Sequence, residues 1–335
     1  AILNPGCRFF DKRIGQSTTL TGRTIVKHMS AEVNRVITGE YDHVGEAMIY
    51  GDTDSCYFSG YPTLKNEIDA GNLPWGKDNV IKLYDQVCEA ANETFPEFML
   101  TAFHCPKSRS DVIAAAREIV AQSGLYITKK RYAALVYDIE GFRSDTDGKP
   151  GKVKAMGLDL RRSDTPVFMQ EFLSEILLKV LTDVDQEDIL QRISEFRKEF
   201  KDRPGWEKGS PKRANKIGHY RRMEEKQGKA NMPGHVRASL NWNTLKAMNG
   251  DKYSQEIVDG MKVIVCKLKS NPMGITSIAY PIDEMRLPSW FTDMPFDNAA
   301  MEETIIDNKV SNLIGVLEWD LRASEKKNAF DMLFG

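Results

Sequence analysis

The sequence is poor in cysteine. Cys7, Cys56, Cys88, Cys105 and Cys266 are scattered along 335 residues, an odd number with no C-x-x-C pair. That argues against a disulfide framework or a cysteine-built zinc site, and favours free thiols in a reducing compartment. No apolar run in the chain approaches the roughly 18 residues that read as a membrane span. The first residues lack the basic and apolar pattern of a secretory leader. Internal repeats and low-complexity tracts are also missing. What remains, 41% hydrophobic and 28% charged, is the composition of a folded protein with room for two domains and a sizeable core.

Net charge is lacking too, at −2, but the charges are segregated. From Glu195 to Arg237 thirteen Lys or Arg face six Asp or Glu, and from Asp283 to Gly335 five face eleven. Nucleic-acid contact needs a local basic surface rather than a basic chain. From charge alone, the first stretch reads equally as a solvated helical face.

The most informative segment is Tyr50-Gly51-Asp52-Thr53-Asp54-Ser55. It lies between the apolar stretches Ala47-Met48-Ile49 and Cys56-Tyr57-Phe58, a pattern that predicts strand, tight turn, strand. Strand alternation would let Asp52 and Asp54 project together while Thr53 points back. A bare Asp-x-Asp in a loop is more often a solvated turn. Inside an apolar, aromatic hairpin, two unpaired carboxylates would be costly. They suit Mg²⁺, a hard cation that takes oxygen ligands and is shared between carboxylates and substrate phosphates. Two such ions about 3.5–4 Å apart carry out phosphoryl transfer.

Elsewhere, apolar spacing predicts a helix over 17–38, capped by Ser17 or Thr18 and ended by Gly39. The stretch 60–77 reads as a turn-rich loop. Helices are expected over 79–103, bounded by Pro96, and over Asp111–Gln122. Two strands then flank Thr128-Lys129-Lys130-Arg131, with Lys130 and Tyr132 expected on one face and Lys129 and Arg131 on the other. A Lys beside an aromatic suits a duplex minor groove, whose acceptors are present at every base pair. A surface hairpin with ordinary charges reads the same way. After a polar linker at 143–151, helices are expected over 166–181, capped by Ser163 or Asp164, and over 187–200. Strand-like runs come next at 261–265 and 275–280. The terminal Phe330, Leu333 and Phe334 either pack back on the fold or enter a partner's groove.

The hairpin resembles the third polymerase motif of family B DNA polymerases. Lys129-Lys130-Arg131-Tyr132 is similar to that family's Lys-x-Tyr motif. Gly157-Leu158 and Ser163-Asp164-Thr165-Pro166 look like its entry to the thumb. Gly234-His235-Val236-Arg237, Asn271-Pro272-Met273-Gly274 and the tail Phe330–Gly335 resemble segments of T-even-like bacteriophage polymerases. The resemblance runs in order along essentially the whole chain. It implies an α+β fold: an antiparallel palm sheet with packed helices over 1–155, a mostly helical thumb over 156–323, and a clamp-binding tail over 324–335.

The same resemblance implies two Mg²⁺ ions, with Asp54 a ligand of both and Asp52 secondary. Lys129, Lys130, Arg131 and Tyr132 would bind DNA, with Lys130 and Tyr132 holding the primer end, and His235, Arg237 and neighbouring lysines would grip duplex phosphates. Phe330, Leu333 and Phe334 would bind a sliding clamp. Primer-template DNA and dNTP would be substrates, in the cytoplasm of an infected bacterium, with no membrane involved. The fingers motif ending Asn-Ser-x-Tyr-Gly, the Asp-x-x-Ser-Leu-Tyr-Pro motif and the exonuclease carboxylates are missing. The chain is therefore expected to be the C-terminal portion, needing an N-terminal polymerase chain with exonuclease, fingers and the remaining palm. Two rivals stand beside this. RNA-dependent polymerases share an Asp-bearing hairpin, but usually with adjacent carboxylates. A DNA-binding accessory chain with a vestigial motif is the other.

Overall fold

Helix α1 (Lys12–Thr38) begins where Asp11 caps it, its carboxylate accepting the Arg13 N–H at 2.8 Å. This is five residues before the expected start, and the capping residue is acidic rather than a hydroxyl. It ends at Gly39, whose φ of 87° is the left-handed C-cap that glycine adopts without strain. The chain is known here from a computed structural model that describes residues 3–228 and 231–321.

Asn34 links this helix to the hairpin beyond it. It is fully buried. Its Nδ2 donates to the Glu40 carbonyl at 2.8 Å and to Thr38 Oγ1 at 3.1 Å, and its Oδ1 accepts the Ala47 N–H at 3.1 Å. One amide thereby ties both ends of the 39–47 connection to α1. Gly45 is required beside it, because a Cβ there would stand 2.2 Å from Asn34 Nδ2.

Strands β1 (Met48–Asp52) and β2 (Ser55–Phe58) form an antiparallel hairpin with Asp52 opposite Ser55 and a bulge between Met48 and Tyr50. Behind it, Val33, Val87 and Ala91 form a buried cluster against which Ile37, Met48 and Phe58 pack. Val87 and Ala91 belong to α3 (Lys77–Phe103), which packs along α1.

Three expectations fail in this region. Residues 60–77 contain a helix, α2 (Tyr61–Asp69), because Pro62 falls in its first turn, where no N–H is needed. Helix α3 runs through Pro96 instead of stopping there. Phe95 and Met99 are buried on either side, and that packing offsets the proline penalty of about 3 kcal/mol. Residues 111–122 are not helical. After a 3₁₀ turn at 107–112 the chain is extended into β3 (Ile119–Thr128). The Asn92 side chain of α3 bonds both the Ala115 N–H (2.6 Å) and the Ala115 carbonyl (2.8 Å), in the manner of a neighbouring strand.

β3 pairs with β4 (Arg131–Ile139), which also pairs with β5 (Phe142–Arg143) and β6 (Lys152–Met156). The chain divides into two units. The first holds residues up to Lys130 and Ala134–Lys154, and the second holds Arg131–Ala133 and everything from Ala155.

The second unit opens with α4 (Val167–Leu181) and α5 (Gln186–Asp202), close to the expected bounds. Phe172 and Phe196 stack between them at 3.7 Å, with the Arg192 guanidinium over both rings. Ser163 and Asp164 do not cap α4, whose N-cap position is Pro166, with no side-chain cap. Asp164 instead pairs with Arg162 and Lys212, each at 3.0 Å.

β7 (Ser210–Arg213) leads to α6 (Ile217–Gln227) and α7 (Gly234–Met248). β8 (Lys262–Lys267) and β9 (Ser277–Pro281) complete an antiparallel sheet of order β7-β8-β9. Trp242 of α7 is fully buried and donates its indole N–H to the Gln255 carbonyl at 2.9 Å. Among the described residues, α8 (Ser289–Thr292), α9 (Asn298–Glu302) and α10 (Asn308–Ile314) come after this sheet, the last two joined by a π-helical turn at Glu303–Asp307. The fold is thus α+β with antiparallel sheets and a largely helical C-terminal part, as the sequence led us to expect. No described helix is long and apolar enough to cross a membrane.

Replacing Asn34 by Ala would strand the Ala47 N–H and the Glu40 carbonyl. We expect a loss of about 1–3 kcal/mol, read by urea unfolding of the chain, with the 39–58 segment exchanging its amides fastest.

Candidate active site

The turn of the β1–β2 hairpin is two residues long, Thr53-Asp54. Asp52 therefore ends a strand, whereas Asp54 sits in the turn itself. Strand alternation does not extend to Asp54, and the two carboxylates share the hairpin tip rather than a sheet face. Asp54 is exposed and Asp52 half-buried.

Asp52 is held by its neighbours. Its Oδ1 accepts the Thr53 N–H at 2.8 Å and the Thr53 hydroxyl at 3.1 Å, and its Oδ2 accepts the Tyr50 hydroxyl at 3.3 Å. The Thr53 N–H chiefly, then its hydroxyl, the positive charge of Lys130 and the Tyr50 hydroxyl, hold the Asp52 carboxyl below its ordinary value.

Lys129 and Lys130 form the turn between β3 and β4, both exposed. Lys130 takes a φ of 63°. The expected alternation therefore breaks at this point: Lys130 and Tyr132 do not lie on one strand face, because Lys130 is not on a strand. Tyr132 is buried, 6% exposed. Arg131 donates to the Asn312 carbonyl at 3.0 Å.

What brings the two hairpins together is Tyr50. Its hydroxyl accepts the Lys130 backbone N–H at 2.9 Å, across eighty residues of sequence. Its ring lies 6.0 Å from that of Tyr57 and 6.1 Å from that of Tyr126, and the latter two are 5.8 Å apart. This aromatic triangle joins β1, β2 and β3 beneath the carboxylates. In the sequence Tyr50 stands out only as the first residue of the Tyr50–Ser55 segment. A contact between segments so far apart carries no local signal.

A cavity of about 560 Å³ opens beside the hairpin. Asp54, Cys56, Val33, Ala91, Arg117 and Val120 are among the residues that line it. Burial pushes the Cys56 thiol up to about 11 and raises that of Cys88 too, so neither is a ready nucleophile.

Only oxygen donors stand at the tip, which suits a hard divalent cation. Among the described residues no group of three or more His, Cys, Asp or Glu is placed to hold a metal. The pair fits Mg²⁺ as a partial ligand set that needs a further oxygen donor from elsewhere.

In the second unit, His235 and Arg237 lie in the first turn of α7. Burial, and then the charge of Lys212, lower the His235 pKa. Arg237 is paired with Glu224 of α6. Phe330, Leu333 and Phe334 lie outside the described residues.

The DNA-directed DNA polymerase of Enterobacteria phage T4 is 26% identical over 365 aligned positions, covering all of this chain and 37% of that protein. The chain is similar to phage DNA polymerases. A second such relative, the DNA-directed DNA polymerase of Escherichia phage RB69, is 29% identical over 295 positions, covering 84% of this chain and 31% of that protein. The chain spans about a third of the length of these curated relatives. No family model matches it.

The hydrogen bonds at Asp52 make a pH prediction. A depressed folded-state pKa means the carboxylate, and whatever stability its bonds confer, is fully present above the unfolded value of about 3.9. Both are lost as pH falls through the lower folded value. Carboxyl ¹³C titration should find Asp52 protonating below about 3.9, and Thr53→Val, which removes one donor, should move it upward.

Proposed function

We propose that this chain is the palm remainder and thumb of a phage replicative DNA polymerase, catalysing template-directed nucleotidyl transfer once completed by the remaining polymerase part. The observation that carries the reading is the pairing of two carboxylates at a hairpin tip with a lysine turn held against the same hairpin. Similarity to phage polymerases along the chain's full length supports it.

In this reading Asp54 would hold both Mg²⁺ ions, with an Asp contributed by the missing part, and Asp52 would serve in a secondary place. The ions, when bound, would offset charge on the attacking 3′-oxygen and the leaving pyrophosphate. The chain's own residues orient the reactants. Lys129 and Lys130, exposed at their turn, would meet the primer-template near its end. Arg131 and the buried Tyr132 would act from the strand behind them, by fixing where that turn stands. His235 and Arg237 would contact duplex phosphates, and Arg237 would exchange Glu224 for a phosphate to do so. The apolar terminal residues Phe330, Leu333 and Phe334 would anchor the enzyme to a sliding clamp, raising its local concentration there. The setting would be the cytoplasm of an infected bacterium.

The requirement for a further polypeptide has its own support. β2 and β3 are edge strands of separate sheets, and residues of both line the 560 Å³ cavity with Asp54 among them. Unpaired edge strands are surfaces that a neighbouring strand can cover. The accessory-chain reading explains the basic stretch but gives no reason for both carboxylate oxygens of Asp52 to be engaged at the hairpin tip.

Asp54→Ala should abolish nucleotide addition by the assembled enzyme, by at least about 10³-fold, while Asp52→Ala costs less. Single-turnover incorporation with Mg²⁺ checks both. A near-normal rate for Asp54→Ala would remove the metal-ligand role.

A further inference from the structure

We propose that the hydroxyl of Tyr50 is a positioning device that fixes the Asp52 carboxylate and the Lys129-Lys130 turn to each other, so that the two move as one body. The proposal rests on the polymerase reading above and adds to it a residue that acts through others.

The geometry gives the hydroxyl two tasks. Its proton goes to Asp52 Oδ2, 3.3 Å away, and a lone pair receives the Lys130 N–H at 2.9 Å. A phenol has one proton to donate and lone pairs to accept with, so both bonds form at once. Each also strengthens the other, because an N–H bonded to the oxygen polarises its O–H toward the carboxylate. Backbone, hydroxyl and carboxylate thus form a chain of three groups crossing from the β3–β4 turn to the β1–β2 tip.

Both ends of that chain need holding. Lys130 sits at a φ of 63°, a region that a residue with a side chain occupies at a cost unless its surroundings retain it. The bond from its N–H to Tyr50 supplies a restraint from outside its own hairpin. At the other end, Thr53 binds one carboxylate oxygen of Asp52 and Tyr50 binds the other. With both oxygens engaged, the plane of the carboxylate is set. Catalytic groups must be held to within about 0.5 Å to be useful, and a 1 Å error can cost about 10² in rate.

The ring and the hydroxyl have separable roles. The ring packs with Tyr57 and Tyr126. Phenylalanine keeps that packing and removes both hydrogen bonds. A tyrosine that were merely structural would be replaced by phenylalanine with little effect beyond stability.

The test is Tyr50→Phe, read in two ways. In the full chain by itself, amide exchange at Lys130 should rise about five- to tenfold, as expected for loss of one net hydrogen bond, with the neighbouring strand amides unchanged. In the assembly with the remaining polymerase part, the Mg²⁺ concentration giving half-maximal single-turnover primer extension should rise several-fold. Combining Tyr50→Phe with Asp52→Asn should add little to Asp52→Asn alone, because the two act on one unit. Unchanged exchange at Lys130 overturns the proposal. So does full additivity with Asp52→Asn at an unaltered Mg²⁺ requirement. If the wild-type assembly extends no primer, the polymerase reading itself fails, and the exchange measurement still decides whether the hydroxyl joins the two hairpins.

Discussion

A carboxylate at the end of a two-residue turn has little to hold it. The backbone there has few partners, the side chain faces water, and two acids so close together repel. Everything beneath Asp52 and Asp54 can be understood as meeting that constraint. Thr53 and Tyr50 hold Asp52 from two sides. The aromatic triangle of Tyr50, Tyr57 and Tyr126 stiffens the hairpin below the tip. Asn34 fixes the connection that delivers β1 to its place. The buried cluster of Val33, Val87 and Ala91 gives the hairpin a floor. None of these contacts is strong alone, but they act in series, so the tip is only as well placed as the weakest of them.

Much of this was legible in the sequence, for reasons that differ by element. The hairpin could be read because apolar strands bracket a short polar turn. The end of α1 could be read because Gly39 is a stop signal that acts locally. Helices α4 and α5 declared themselves through their buried stripe. The failures share a cause as well. Pro96, the alanines near 114–116 and Pro62 were judged on local preference, and each was overruled or redirected by position. Phe95 and Met99 keep α3 intact across Pro96, and Asn92 draws Ala115 out into an extended chain. The same holds at the site. That Asp52 and Asp54 are hairpin residues is plain from the pattern, but that Tyr50 reaches Lys130 depends on how β3 is laid beside β2, which no local pattern encodes.

The second unit presents the basic stretch differently from what charge counting suggests. Lys212 is engaged by Asp164, Arg237 by Glu224, and Arg221 by Glu256 at 2.8 Å. If the proposed DNA contact exists, these three cations would have to exchange their carboxylates for phosphates, which would make association strongly salt-dependent.

The central proposal is that these carboxylates belong to a polymerase of which this chain is one part. The most direct measurement is primer extension on a DNA primer-template with Mg²⁺ and dNTP, comparing the chain alone, the remaining polymerase part alone, and the two mixed. The account predicts extension only in the mixture, together with a stable complex of the two by size exclusion with light scattering. Extension by this chain alone, or a complex that forms and extends nothing, would contradict it.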